Sequence, residues 1–328
     1  MTERKDPEER VCGSLSRRDF LQYCGGLAAA LALPGCGKQP EMSAEDVMRT
    51  LARAATSGKP PVIWLEGQDC AGCSIAFLNL EEPSIGDVLL KSISLRYHET
   101  VMAASGKISE AALAETMTAG GYILVVEGSV PAADDRFCTV GGRPFREILD
   151  SCAKNAGLIL AVGACASFGG LPGASPSQGK GVSEYVTNKP LINLPMCPAH
   201  PEHVLATIVY YLQNQKAPAL DGSKRPTMFY GSTVHSQCER RRFFTQQKFL
   251  ADWNDPAQAS YCLYQKGCRG RTTYADCPTR KFNGKVNHCI GSGSPCQGCA
   301  EPSFYRNEEP LFAERELPPE EAREWGVA

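Results

Sequence analysis

The chain has 328 residues, 43% of them apolar, which is length for about two domains and apolar surface for a substantial core. Its formal net charge of −2 leaves no electrostatic footprint for nucleic acid. Sixteen cysteines stand against five histidines; a chain able to build a core does not need so many thiols as staples, so their density favours metal over a disulfide framework.

Residues 16–21 read Ser-Arg-Arg-Asp-Phe-Leu, and an uncharged run of small residues follows from Gly25 to Leu33. A basic segment before a short apolar one is the order of an export signal, and the run is shorter than the ~20 residues of a spanning helix. Arg17-Arg18 before Asp-Phe-Leu resembles the twin-arginine signal, which exports proteins already folded. Residues 1–36 are therefore read as an export signal, residues 37–58 as a linker, and the destination as the periplasm. Ala30-Leu31-Ala32 offers an Ala-x-Ala cleavage site. Leu33-Pro34-Gly35-Cys36 offers a lipobox instead, in which a lipidated Cys36 would hold the chain to a membrane. No later apolar run has spanning length, so no C-terminal anchor is expected. Folded export also suits metal-bound thiols, which must be loaded before an oxidising compartment can pair them.

Residues 59–225 read as an α/β domain. Pro61–Glu66, Ile93–Tyr97, Tyr122–Glu127, Leu158–Val162 and Leu191–Pro195 are short β-rich runs, separated by helical segments at 111–117, 145–156 and 204–213. Buried strands alternating with helices predict a parallel sheet covered on both faces. Cys70 and Cys73 follow the first strand, Cys165 the Leu158–Val162 strand, and Cys197 the Leu191–Pro195 strand. Ligands of open α/β sheets gather beyond the carboxyl ends of the strands, so four thiolates are expected at one edge, with Gly72, Gly163, Gly169 and Gly170 allowing close approach of a bulky cofactor. Such a Cys₄ set suits a [4Fe–4S] cluster. The Cys-x-x-Cys pair alone would serve equally as a redox disulfide or half a zinc site.

Trp64-Leu-Glu-Gly-Gln-Asp-Cys-Ala-Gly-Cys73, Glu127-Gly-Ser-Val-Pro131, Gly163-Ala-Cys-Ala-Ser-Phe-Gly-Gly170 and Cys197-Pro-Ala-His-Pro201 resemble the small subunit of nickel–iron hydrogenases from about residue 60 to the end. The resemblance implies a flavodoxin-like first domain whose cluster is the proximal one, facing a nickel–iron centre on a separate large subunit. Oxygen-tolerant members carry two further cysteines around it; this chain has Gly72 and Gly170 there, which implies an ordinary proximal cluster and oxygen sensitivity. Glu66 is a candidate for a proton or hydrogen-bond role beside that cluster, or for capping backbone N–H groups.

In residues 226–328 the regular pattern fades. Thr227–Tyr230 reads as one more strand and 242–253 as a helix; the rest is rich in Gly, Pro, Asn and Cys and would draw folding free energy from metal ligation. His235, Cys238, Cys262, Cys268, Cys277, Cys289, Cys296 and Cys299 lie within 65 residues, enough for two four-ligand centres. The resemblance implies that His235, Cys238, Cys262 and Cys268 hold the distal [4Fe–4S] cluster, where a neutral imidazole in place of a thiolate raises the potential. Many relatives have three cysteines and a proline in the other set and hold a [3Fe–4S] cluster. Here Cys289 joins Cys277, Cys296 and Cys299, which implies a medial [4Fe–4S] cluster of the kind in nickel–iron–selenium hydrogenases; the alternative is a three-iron cluster beside a free Cys289 thiol.

Eleven cysteines and His235 thus form three sets of four. Cys138 and Cys152 are read as buried small hydrophobes, and His98, His200, His203 and His288 are unassigned. Arg240, Arg241 and Arg242 are read as a solvated or subunit-facing patch, with steering of an acidic acceptor as the other reading. The acidic stretch 314–324 is read as a wrapping or exposed arm. The implied function is electron transfer for a periplasmic hydrogen-uptake enzyme, toward a cytochrome c or a membrane quinone-reducing module. The competing readings are an iron–sulfur relay of a non-hydrogenase complex, such as the related subunit of respiratory complex I, and an exported zinc or disulfide protein.

Overall fold

The computed structural model describes residues 59–305 and Arg323. The export signal, the linker and nearly all of the acidic arm lie outside the described residues. Strand β1 (Pro61–Glu66) is followed by helix α1 (Gly72–Leu78), β2 (Ser94–His98), α2 (Lys107–Ala119) and β3 (Ile123–Glu127). A two-residue antiparallel pair, β4 (Thr139–Val140) and β5 (Arg143–Pro144), leads into α3 (Phe145–Ala153). Then come β6 (Leu158–Val162), α4 (Gly163–Phe168), β7 (Leu191–Leu194) and α5 (Pro201–Asn214). The five longer strands form one parallel sheet in the order β2-β1-β3-β6-β7, the order of a flavodoxin-type doubly wound fold.

The side-chain period of two divides each apolar strand between two cores. Val62 and Trp64, Ile123 and Val125, Leu158 and Leu160, and Ile192 and Leu194 face α1 and α5. Ile63 and Leu65, Leu124 and Val126, and Ile159 and Ala161 face α2 and α3. Cys152 is wholly buried in this second core, whereas Cys138 is only half-buried at its margin.

Beyond residue 225 the core on the α1/α5 face continues: Phe229, Tyr230, Val234, Leu263, Ala275, Ile290 and Ala300 belong to it. The expected strand at Thr227–Tyr230 is instead a helical turn, α6. Neighbouring residues of a strand point to opposite faces, but Phe229 and Tyr230 both pack into the same core, which a turn of helix permits. The expected helix over 242–253 is confined to α7 (Arg241–Thr245). Gln247, at φ +54°, ends any continuation, and residues 248–250 pair instead with Cys262, the Leu250 N–H donating to Cys262 O and the Cys262 N–H to Lys248 O. One further turn, α8 (Cys277–Arg280), completes the helices used below.

Candidate metal centres

None of the thirteen cysteines among the described residues is in a disulfide. Cys70, Cys73, Cys165 and Cys197 meet at the carboxyl edge of the sheet, where their thiols influence one another electrostatically. Cys70 and Cys197 are exposed; Cys73 and Cys165 sit half-buried behind them. Two glycines hold backbone clear of the sulfurs. Gly163, at φ +88°, would place a Cβ 2.6 Å from Cys73 Sγ, and Gly170, at φ +50°, would place one 2.8 Å from both the nitrogen and Sγ of Cys165. Both positions therefore require glycine on conformation and on space.

The first turn of α1 is capped from the neighbouring strand. Glu127, at the end of β3 and 1% exposed, accepts from the N–H groups of Cys73 and Ser74 (2.9 Å each) and from the Ser74 hydroxyl (2.5 Å). It also accepts from Trp64 Nε1 (3.2 Å). Burial raises its pKa, opposed by these donors. Glu66 lies beside Glu127 in the β1–β3 register but makes no such cap: it accepts from the Thr100 hydroxyl (2.6 and 2.7 Å), with Ser74 Oγ 3.2 Å away. Sequence reasoning assigned the capping alternative to Glu66 and passed over Glu127. The parallel pairing of β1 with β3 was the signal that could have found it.

Cys277, Cys289, Cys296 and Cys299 line one cavity of about 310 Å³. The cavity also reaches Gly72 and Cys197, so it abuts the first set. Burial pushes Cys299 up to about 12 and lifts Cys277 and Cys296 well above the ordinary thiol value. Such thiols stay protonated unless a cation replaces the proton, as a metal does on binding. Cys277 is fixed by a buried ionic chain. Asp276 Oδ1 lies 2.8 Å from His203 Nε2, and its Oδ2 accepts from Arg280 Nε at 2.8 Å. Arg280 in turn donates to Glu202 on α5 at 2.6 Å. Burial alone would raise the Asp276 carboxyl, but His203 and Arg280 outweigh it and hold it far below the carboxylate range.

Cys238, Cys262 and Cys268 form a third mutually interacting group. His235 opens the turn that ends at Cys238, and its ring meets the edge of Phe244 at 4.8 Å. Phe244 packs with Cys262 and Tyr264, and with Phe243 and Phe249, into a small aromatic cluster that keeps water from this side. Burial, then the positive Arg271 and Arg241, lower His235 to about 4, which leaves the imidazole neutral, the form that binds metal. Arg240 is occupied structurally, donating to the carbonyls of Ala259 and Tyr261 (2.9 Å each), whereas Arg241 and Arg242 are exposed.

The groups lie in series. Cys197 is close enough to Cys299 to influence its thiol electrostatically, and the Cys296 N–H donates to Cys268 Sγ at 3.4 Å. The donors fit iron–sulfur ligation: two sets of four thiols, a third of three thiols beside an imidazole, and glycine where a bulky group needs clearance.

The family model for the 20 Kd subunit of NADH ubiquinone oxidoreductase matches residues 70–211, and that for the C-terminal part of the NiFe/NiFeSe hydrogenase small subunit matches residues 230–312. The uptake hydrogenase small subunit of Azotobacter vinelandii is 41% identical over 89% of this chain and 80% of its own length. The periplasmic [NiFe] hydrogenase small subunit 1 of Nitratidesulfovibrio vulgaris is 37% identical over 93% and 96%. Among solved structures, the reduced, active Ni-Fe-Se hydrogenase of Desulfomicrobium baculatum superimposes with a TM-score of 0.74 at 33% identity, over 79% of this chain and all of that one. The recombinant [NiFeSe] hydrogenase of Desulfovibrio vulgaris Hildenborough superimposes with a TM-score of 0.73 at 35% identity, over 80% and 99%.

Proposed function

Because the chain belongs to the family of nickel–iron and nickel–iron–selenium hydrogenase small subunits, we propose that it is the three-cluster electron relay of an exported hydrogen-uptake enzyme. Its large-subunit partner carries the nickel–iron centre. The proximal ligands are Cys70, Cys73, Cys165 and Cys197; the medial ligands are Cys277, Cys289, Cys296 and Cys299; the distal ligands are His235, Cys238, Cys262 and Cys268. When bound, these [4Fe–4S] clusters supply one-electron carriage. The chain's own residues hold them at fixed positions, exclude water and tune their charge.

The observation that carries this reading is the medial cavity lined by four cysteines, between the exposed proximal thiols on one side and the His235 group on the other. The exposed Cys70 and Cys197 give the proximal set its open face, which suits cover by the large subunit. Exposed Arg241 and Arg242 at the opposite end suit an acidic electron acceptor, a cytochrome or a quinone-reducing module. Glu66, one strand over from the α1 cap and accepting from the Thr100 hydroxyl, would serve in a hydrogen-bond or proton role beside the proximal set. The first family model is shared with a respiratory-complex subunit, but the match over residues 230–312 favours the hydrogenase reading.

The test is to substitute His235→Ala in the purified two-subunit enzyme. Hydrogen-driven reduction of an external acceptor should fall at least tenfold, about 1.4 kcal/mol in barrier, while hydrogen–deuterium exchange, which needs only the large subunit's centre, persists. Equal loss of both activities would contradict an exit role. For export, replacing Arg17 and Arg18 with lysine should leave a cluster-loaded chain in the cytoplasm; unaltered periplasmic delivery would rule out the twin-arginine route.

A further inference from the structure

His288 belongs to none of the three ligand sets, yet it lines the medial cavity beside Cys289. Its side chain is 2% exposed, and neither ring nitrogen has a hydrogen-bond partner among the protein's own groups. The facing charge is Glu239, whose Oε2 lies 3.5 Å from Nε2, an ion-pair distance and too long for a good hydrogen bond. Glu239 itself follows the distal ligand Cys238. Of the other polar groups around the cavity, the Thr273 hydroxyl donates to Arg269 O at 2.7 Å, Asn79 and Asn283 are exposed, and Gln297 is half-buried. A buried imidazole without a partner is destabilising, so the missing partner is to be sought in what the cavity holds.

We propose that His288 is a positioning residue of the medial site, its imidazole N–H directed at sulfur of the group held by Cys277, Cys289, Cys296 and Cys299. This rests on the relay reading above. A hydrogen bond to cluster or thiolate sulfur favours the reduced, more negative form and raises the potential. His288 thereby offsets, at the medial position, part of the negative charge that the fourth thiolate adds.

The experiment compares His288→Phe, which fills the space without a donor, with His288→Gln, which keeps one. Both are made in the anaerobically purified two-subunit enzyme, and the medial cluster is followed by EPR-monitored redox titration alongside iron analysis. The Phe variant should titrate at lower potential than wild type, the Gln variant close to wild type, with the proximal and distal clusters unmoved. A Phe variant with full iron and an unchanged medial potential overturns the proposal. So does an equal shift in both variants, which would mark a packing effect. Should the Phe variant lose medial iron, the Gln variant decides: retained iron and potential support the donor role, and loss in both overturns it. Wild-type enzyme lacking a medial cluster would instead defeat the relay reading itself, before either variant is compared.

Discussion

A four-iron cluster needs a fourth protein ligand where a three-iron cluster needs three, and the ligand proposed for that place in the medial set is Cys289, the most exposed of the four thiols. Its position on the cavity wall with Cys277, Cys296 and Cys299 is what places it beyond a stray thiol. Replacing Cys289 with Ala should lower the iron content by about one atom per chain and bring up the EPR signal of a three-iron cluster (one iron fewer than a cubane). A strong three-iron signal already present in the oxidised wild-type enzyme would contradict the assignment. At this scale the grouping of the cysteines was legible in the sequence, because thiols at strand ends and at short spacings announce themselves. Glu127 was not. Its role depends on α1 beginning beside the end of β3, a contact between residues 54 positions apart that no local pattern records.

Helix α5 shows how one element serves several sites. His200 caps it, its Nδ1 accepting from the Glu202 N–H at 3.2 Å, while Nε2 meets the carbonyl of Lys281, just past α8. Those two bonds require a neutral ring protonated at Nε2. Burial, then His203, depress its pKa to about 3 from the ordinary 6.5. A base whose folded-state pKa is depressed contributes stability that is full above pH 6.5 and is lost as the pH falls toward 3. At about 1.4 kcal/mol per unit, the loss amounts to a few kcal/mol at the acid end. Thermal unfolding across this window should therefore be steeper for wild type than for His200→Asn; parallel curves would contradict it. On the same helix, Glu202 and His203 anchor Arg280 and Asp276 and so fix Cys277. Removing one member of such a buried ionic chain leaves the others unpaired, at a cost of about 3–5 kcal/mol. Four of the five sheet strands were readable because each run is apolar on both faces, and β2 because apolar and polar residues alternate along it. The turn at Thr227–Tyr230 and the short α7 were not, because tertiary packing of Phe229 with Tyr230, and the pairing of residues 248–250 with Cys262, outweigh local propensity.

For the whole molecule, the sheet supplies rigid strand ends for the proximal set, and an irregular second region wraps the medial and distal sets against the same core. The sequence conveyed the fading of regular structure, since periodicity ends near residue 226. It did not convey that the core runs on through Val234, Leu263 and Ile290, because isolated apolar residues among glycines and prolines carry no period. The series Cys197–Cys299 and Cys296–Cys268 likewise emerges only from the folded chain. It is the physical basis for reading twelve ligands as one line of three carriers rather than three unrelated sites. The direct measurement is iron and acid-labile sulfide in the intact two-subunit enzyme, purified without oxygen and corrected for the large subunit's single iron. The account predicts about twelve of each in this chain, four for every cubane. A value near four, or zinc in place of iron, would contradict it.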